Sequence, residues 1–191
     1  MLAFGRAMVS FPLFDRLDIT GYGLFPGAKN GQPGLHIEFQ PGLTYILGAN
    51  GLGKTTLTTI LYRMLTGPTD IPGLASRTDL GGANLRTAGL RPSAKAIFAT
   101  RVSDGARSAK ARLKFTLGER DIVVERRLND LSLQRFEVDG QEKSTDETES
   151  FQAEIAHLVG VWSFGDWILL LRHIVFYFED RRALIWDPSA Q

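Results

Sequence analysis

The sequence contains no cysteine in its 191 residues. A disulfide framework, a thiol nucleophile and a cysteine-rich zinc site are therefore excluded. Only three histidines are present, and His36, His157 and His173 share no spacing that would seat a metal ion. The sequence therefore predicts core or surface positions for the histidines rather than a metal site.

Long apolar runs are also absent. Arg6 divides the only apolar stretch near the N-terminus, so the sequence predicts no signal peptide. The most apolar segment, residues 167–178, contains Arg172 and His173 and is too short to span a bilayer. The composition, with 43% hydrophobic and 23% charged residues, is typical of a globular protein. We therefore expect a cytoplasmic protein with no membrane partner.

Charge is distributed unevenly, although the formal net charge is only +1. The region from Arg86 to Lys114 carries eight basic residues and one acidic residue, Asp104. Residues 137–154 carry seven acidic residues and one lysine. A basic segment of this kind predicts a surface for DNA or another polyanion. A solvated hairpin face that happens to be basic is the alternative.

Apolar alternation and glycine-rich turns outline the first half of the chain. They predict strands over residues 15–20, 35–39 and 44–47, the last apolar enough to be buried. Helical periodicity over residues 54–65 predicts a helix that a Gly-Pro pair ends. Residues 67–93 show no sustained period and predict a long irregular segment.

The second half begins with period-two alternation over residues 94–138, which predicts an antiparallel β-meander. The Asp139-Gly140 pair is typical of a tight hairpin turn. The remaining predicted elements are a helix over 144–159, a helix over 167–172 opened by a capping box from Ser163 to Asp166, and an apolar strand over 174–178.

Residues 48–55 match the P-loop pattern, in which glycine, four residues and Gly-Lys-Ser/Thr follow a strand and open a helix. Glycines let the backbone N–H groups form a nest around phosphate oxygens, and the helix adds its positive end. Lys54 is predicted to contact the β- and γ-phosphates, Thr55 to bind Mg²⁺, and Thr56 to donate near the α-phosphate. The predicted ATP-binding residues are Gly48, Asn50, Gly51, Gly53, Lys54, Thr55 and Thr56.

Several segments together resemble the ABC-type heads of SMC (structural maintenance of chromosomes) proteins and of related DNA-repair and defence ATPases. These heads are P-loop domains of the AAA family. Residues 17–19 match the first strand, residues 35–43 the lead-in, and Gly48–Thr56 the form G-x-N-G-x-G-K-[ST]-T. The resemblance spans the chain and is sharp over residues 15–66. It implies that two heads sandwich ATP, and by analogy it places Tyr22 near the adenine or ribose.

The resemblance also implies a glutamine, the Q-loop residue, at the end of the strand after the inserted region. Here the strand over 174–178 ends in Glu179-Asp180, and Gln191 lies too far beyond it. We assign the Q-loop role to Glu179, with Asp180 as the alternative, and expect both near Mg²⁺ because carboxylates bind that ion well. A solvated acidic loop is the competing interpretation.

Neither a signature motif nor a later Walker B strand is recognisable in the sequence. The resemblance therefore implies the N-terminal half of a head, with a coiled coil and the C-terminal half expected beyond residue 191. Alternatively, residues 174–180 are themselves the Walker B, and the chain is a self-contained P-loop phosphotransferase. Too few strands remain for the doubly wound sheet that this alternative requires.

The predicted fold is α/β, an ABC-ATPase-like N-terminal lobe with a mixed sheet and an antiparallel β-meander. Its parts are the P-loop at 48–56, the antiparallel region at about 94–138, and the helices and Q-loop-like strand at 144–182. The predicted function is ATP hydrolysis that drives head dimerisation, as a homodimer, on DNA. The sequence does not distinguish among roles in repair, chromosome maintenance and anti-phage defence, and accessory protein subunits are possible partners. The alternative function is a regulatory module that binds ATP without turnover.

Overall fold

The computed structural model describes residues 9–25, 27, 33–49, 51–72 and 85–176. The strands are β1 Pro12–Thr20, β2 Gly34–Glu38, β3 Thr69–Asp70, β4 Ala88–Gly89, β5 Lys110–Leu117, β6 Arg120–Arg127, β7 Leu133–Val138 and β8 Gln141–Glu142. The α-helices are α1 Lys54–Thr66, α2 Pro92–Lys95, α3 Ala153–Val159 and α4 Phe164–Leu170. A 3-10 turn at Ala99–Arg101 and π-helical segments at Glu147–Gln152 and Leu171–Val175 complete the described elements.

Six strands form one sheet in the order β2-β1-β5-β6-β7-β8. Strand β1 lies between β2 and β5, so that Leu17 faces Ile37 on one side and Leu113 on the other. Strands β5 to β8 follow one another as hairpins, as the period-two pattern predicts, but they begin only at Lys110. Residues 94–109 form helical segments and turns, with Pro92 opening α2, so the predicted start of the antiparallel region at about residue 94 is wrong. Every strand pair among the described residues is antiparallel, so the predicted mixed sheet is wrong for this part of the chain.

Alternation along the strands decides which sheet face is buried. In β5, Ala111, Leu113, Phe115 and Leu117 are buried, whereas Lys110 and Lys114, which alternate with them, are exposed. The buried face packs against the apolar side of α1, which contributes Leu57, Ile60, Leu61, Met64 and Leu65 to the same core. This packing holds the start of α1, and with it the glycine loop, at a fixed place on the sheet.

Helix α1 ends where the sequence predicts, at a glycine. The N–H of Gly67 donates to the carbonyl of Arg63 over 2.7 Å, and its φ of 60° is one that glycine adopts without strain. Helix α4 packs against this end of α1, because the indole Nε1 of the buried Trp167 donates to the Leu65 carbonyl over 3.3 Å. The end of α1 is therefore anchored to the C-terminal helical region.

Arg126 is a fully buried charged side chain in β6, with 0% exposure. Its two terminal nitrogens donate to the carboxylate of Glu147 over 2.6 and 2.8 Å, and Nη1 also donates to the Leu131 carbonyl over 3.0 Å. The Cζ atom lies 4.6 Å from the ring centroid of Phe151. A Cβ added at Gly67 would meet the same guanidinium. Arg126 thus joins the sheet, the end of α1 and the π-helical segment.

The helices after the sheet begin at capping side chains. Asp146 accepts hydrogen bonds from the backbone N–H groups of Thr148 and Glu149, so the first segment begins after Asp146 rather than at residue 144. This first segment, Glu147–Gln152, is π-helical, and α3 follows it directly. The single helix predicted over 144–159 is therefore two helical segments. Ser163 and Asp166 form the predicted capping box at the start of α4.

Two sequence-based expectations for apolar strands are not met. Residues 43–49 form no strand, and Leu43, Tyr45 and Leu47 are 76%, 73% and 88% exposed, so the buried strand predicted over 44–47 is wrong here. A strand forms only where a neighbouring strand accepts its backbone hydrogen bonds, and no described strand pairs with residues 43–49. Ile174 and Val175 end a π-helical segment rather than begin a strand, while Tyr177 and Phe178 lie outside the described residues.

No single helix among the described residues is long and apolar enough to cross a membrane. The helical stretches 147–159 and 164–175 are bent by 59° relative to each other. Taken together, they are long and apolar enough for a broken membrane span, by length and composition alone. Most of the apolar side chains of these stretches are buried in the core, which buried helices of globular proteins also show.

Candidate nucleotide-binding site

The glycine loop leads directly into α1. Gly51 and Gly53 have φ angles of 86° and 85°, in the left-handed region that glycine enters readily. The first turn of α1 contains no acidic residue, and no side chain caps its N–H groups. The positive end of a 13-residue helix is therefore available for an anion, as the P-loop pattern predicts.

Gly53 is also constrained by its neighbours. A Cβ built on it would lie 2.9 Å from Cε1 of Phe25 and 3.2 Å from Cδ2 of Leu24. The segment that follows β1 thus packs directly against the glycine loop. A larger residue at position 53 would both strain the backbone and push this segment away.

Lys54 bends back over the loop from the first position of α1. Its Nζ donates to the carbonyl of Gly48 over 2.6 Å and to that of Ala49 over 2.8 Å. These two bonds keep the ammonium group over the loop instead of extending it into solvent. A cation in this position suits the predicted contact with phosphate.

The two threonines after Lys54 have different surroundings. Thr55 is exposed at the mouth of the site, whereas Thr56 is buried. The Oγ1 of Thr56 accepts a hydrogen bond of 2.7 Å from Nη1 of Arg101, which lies in the 3-10 turn. The hydroxyl of Thr56, predicted to lie near the α-phosphate, is therefore already hydrogen-bonded to an arginine that is not part of the P-loop pattern.

A cavity of about 370 Å³ opens beside these groups. Its volume is within the range of small-molecule sites, and the described residues that line it include two cations and no carboxylate. This charge composition suits a polyanionic ligand. The lining residues are Leu24, Gly51, Gly53, Lys54, Thr55, Thr56 and Arg101.

Tyr22 does not line this cavity. Its side chain is fully buried, and its hydroxyl donates to the carbonyl of Phe98 over 3.0 Å. Burial raises the pKa of Tyr22, while the nearby Arg101 lowers it and Asp104 raises it. The expected position beside the adenine or ribose is therefore wrong, because Tyr22 turns into the core and Leu24 faces the cavity instead.

Among the described residues, no group of three or more His, Cys, Asp or Glu side chains is placed to hold a metal ion. The exposed hydroxyl of Thr55 fits Mg²⁺, which usually takes one or two protein oxygens together with substrate phosphates. Asn50, Glu179 and Asp180 lie outside the described residues, so their roles stay predictions.

The basic region divides into two parts in the structure. On β5, Lys110 pairs with Glu125 over 3.3 Å, and Lys114 pairs with Asp121 over 3.3 Å. Arg112 stands between Asp18 and Glu125 in the strand register. These residues belong to a face of mixed charge. The basic residues on the segments before β5 and outside the cavity, Arg86, Arg91, Lys95 and Arg107, form no ion pair with a described residue.

Asp18 illustrates the mixed charge of that sheet face. Burial alone raises the pKa of its carboxyl, but hydrogen bonds to His36 and Arg16 outweigh burial and hold the pKa below its usual value. Its charge therefore offsets that of nearby basic side chains at neutral pH. The strand part of the basic region is consequently less positive than the sequence suggests.

Sequence reasoning missed Arg101, Leu24 and Phe25 as parts of the site. In the sequence Arg101 is one basic residue of the Arg86–Lys114 region, and nothing in its local pattern links it to the glycine loop. The segment after β1 gives a weak signal, since glycines and aromatics there precede the loop. Contacts between distant segments place Arg101 and Leu24 at the cavity and pack Phe25 against Gly53.

The glycine loop, the lysine curled over it and the helix that starts at that lysine define a P-loop nucleotide-binding protein. The family model described as an AAA domain matches residues 16–186, and the chain belongs to this family of P-loop ATPases. Nucleotide binding and hydrolysis, with ATP and typically Mg²⁺, are the general activity of such domains. A search of curated proteins finds no match.

Proposed function

We propose that this chain is the ATP-binding, N-terminal half of an SMC-like ATPase head. The observation that supports the proposal best is the cradle at the start of α1, where left-handed glycines, an uncapped helix end and Lys54 surround one cavity. Membership of the AAA-domain family supports ATP as the ligand. We place the protein in the cytoplasm on the same basis.

In this proposal the residues of the cradle bind and orient the triphosphate. Lys54 neutralises phosphate charge, and the N–H groups at the start of α1 donate to phosphate oxygens. Thr55 offers its hydroxyl to Mg²⁺, which when bound supplies charge neutralisation for phosphoryl transfer. Leu24 gives the cavity an apolar wall.

The exposed apolar segment 43–47 supports the idea that a head requires more structure than the described part. Leu43, Tyr45 and Leu47 are large apolar side chains directly before the glycine loop, and contiguous apolar surface usually marks an interaction site. We propose that further strands of the head cover this segment. A second copy of the head then completes the ATP site, and accessory subunits bind elsewhere.

DNA is the proposed macromolecular partner. Arg86, Arg91, Lys95 and Arg107, here called the free basic group, lie on the segments that precede β5 and form no ion pair with a described residue. Unpaired basic side chains contact phosphates without first breaking an internal salt bridge. Repair, chromosome maintenance and defence against foreign DNA all use such contacts, and the free basic group does not distinguish them.

A protein that binds ATP without hydrolysing it is the second candidate function. The described part of the site holds two cations and no carboxylate, so it contains binding groups and no general base. A self-contained phosphotransferase would need Glu179 or Asp180 as Walker B, and both lie outside the described residues. Turnover measurements separate these candidates.

We expect the full-length protein to hydrolyse ATP and to do so faster with duplex DNA. The physical reason is that DNA bridging two heads raises their local concentration and favours the engaged dimer. Phosphate release measured with and without DNA, over a range of protein concentrations, tests this expectation. ATP binding without turnover under all these conditions would favour the regulatory module instead.

The free basic group gives a separate test of DNA binding. The double variant Arg91→Ala/Arg107→Ala should bind duplex DNA more weakly and reduce the slope of log affinity against log salt by about 2, since each lost phosphate contact removes about 0.9. Fluorescence anisotropy at several salt concentrations measures both quantities.

The matched control for this test is Arg120→Ala/Lys110→Ala. Both of its residues are basic and exposed, and they are already paired, with Asp139 and Glu125. We expect a clearly smaller change for this control. Equal effects of the two double variants would show that only total charge matters and would argue against the free basic group as a DNA contact.

A further inference from the structure

Arg101 combines two properties that a purely structural arginine does not need. It lines the same cavity as Lys54 and Thr55, and its side chain reaches the first turn of α1 to donate to Thr56 Oγ1 over 2.7 Å. A guanidinium carries five N–H donors. The bond to Thr56 is the only hydrogen bond of this guanidinium to a described residue, so donors remain for a ligand in the cavity.

The backbone that carries Arg101 is held in place. The Arg101 N–H donates to the Phe98 carbonyl over 3.2 Å, and the same carbonyl accepts the hydroxyl of the buried Tyr22 over 3.0 Å. The ring of Phe98 is itself fully buried. The turn is thus fixed to the core on one side, while its arginine projects to the cavity on the other. A side chain anchored in this way loses little freedom when it binds a ligand.

Among the described residues, Lys54 and Arg101 are the two cations that line the cavity. Lys54 is bound to carbonyls on the glycine-loop side, whereas Arg101 is bound to Thr56, two positions further along α1. The two positive charges therefore approach the cavity from different segments of the chain. Such an arrangement suits a ligand with several phosphate groups better than a single anion.

We propose that Arg101 is a nucleotide-binding residue, which contacts the phosphates of ATP or ADP directly and is held for this purpose by Thr56. The proposal rests on the proposed function and adds to the P-loop a contact from a distant turn. Arg101 lies six residues before Arg107 on the same segment. A nucleotide that contacts both Arg101 and the start of α1 would therefore link this basic segment to α1.

Isothermal titration calorimetry of the full chain with Mg²⁺-ADP and Mg²⁺-ATP tests this contact. Arg101→Ala should raise Kd for both nucleotides by about 10- to 100-fold, the range for losing a charge-assisted hydrogen bond. Arg101→Lys keeps the charge and should lose less. Arg120→Ala removes another exposed arginine, which does not line the cavity, and should leave Kd unchanged.

A second readout separates direct contact from positioning of Thr56. Direct contact with phosphate makes nucleotide binding depend on salt through the Arg101 charge, so Arg101→Ala should show a shallower salt dependence and Arg101→Lys should restore it. The thermal midpoints of both variants should stay close to wild type, because the side chain is exposed and makes one hydrogen bond.

Three outcomes would overturn the proposal. If Arg101→Ala binds nucleotide like wild type while Lys54→Ala does not, Arg101 is not a contact and the P-loop function stands. If Arg101→Ala weakens binding with unchanged salt dependence, the arginine only positions Thr56. If wild type binds neither ADP nor ATP, both this contact and the proposed function fail.

Discussion

Lys54→Ala should abolish ATP turnover and weaken nucleotide binding by at least about 10- to 100-fold. The ammonium is held over the glycine loop by the carbonyls of Gly48 and Ala49, so its loss removes the cation nearest to the backbone cradle. Lys54→Arg should not restore turnover, because a planar guanidinium cannot occupy the place of a compact ammonium. Calorimetric titration and phosphate release measure the two effects.

The control for this prediction is Lys143→Ala, which removes a lysine outside the cavity. It should leave binding and turnover unchanged. The folded state of Lys54→Ala should be intact, since the lysine is part of no ion pair among the described residues and its two bonds are to loop carbonyls. Wild-type nucleotide affinity in Lys54→Ala would show that the loop is not a phosphate cradle.

Arg126→Ala should destabilise the protein by about 3–5 kcal/mol, the cost of breaking a buried ion pair by removing one partner. The change leaves the Glu147 carboxylate and the Leu131 carbonyl without their donors, and it opens a space beside Phe151. Urea denaturation followed by circular dichroism measures the free energy of unfolding. We expect the midpoint to fall without a large change in the m-value.

Two further variants separate charge from packing at this site. Arg126→Met/Glu147→Leu replaces both partners by apolar groups, so it should recover much of the loss. Arg120→Ala breaks the exposed pair with Asp139 and should cost at most about 1 kcal/mol. If Arg126→Ala is as mild as Arg120→Ala, the buried pair contributes little, and packing alone holds α1 to the sheet.

The local elements of this fold were predictable because short-range patterns determine them. Alternation in β5, with Leu113 and Phe115 inward and Lys114 outward, follows from the sequence alone. The start of α1 at Lys54, its end at Gly67 and the capping box at Ser163 were also predictable from the sequence. Each depends on residues within a few positions of one another.

Features that depend on distant partners were not predictable in the same way. Leu47 is as apolar as a buried strand residue, yet it is exposed because no described strand accepts its backbone. The contact between Arg101 and Thr56 joins two segments that share no local pattern. The burial of Arg126 was predictable, because alternation along β6 places it on the same face as the buried Ile122 and Val124.

The pairing of β1 with β5 has a consequence for the order of folding. Thr20 lies opposite Lys110 in the register of these strands, so the glycine loop and all of α1 lie within the long connection between two neighbouring strands. During synthesis α1 leaves the ribosome well before β5 and β6, the strands on which its apolar side rests. Closing that connection is slow because it joins distant parts of the chain. The phosphate cradle is therefore expected to acquire its final shape late, after the hairpin of β5 and β6 has formed beneath it.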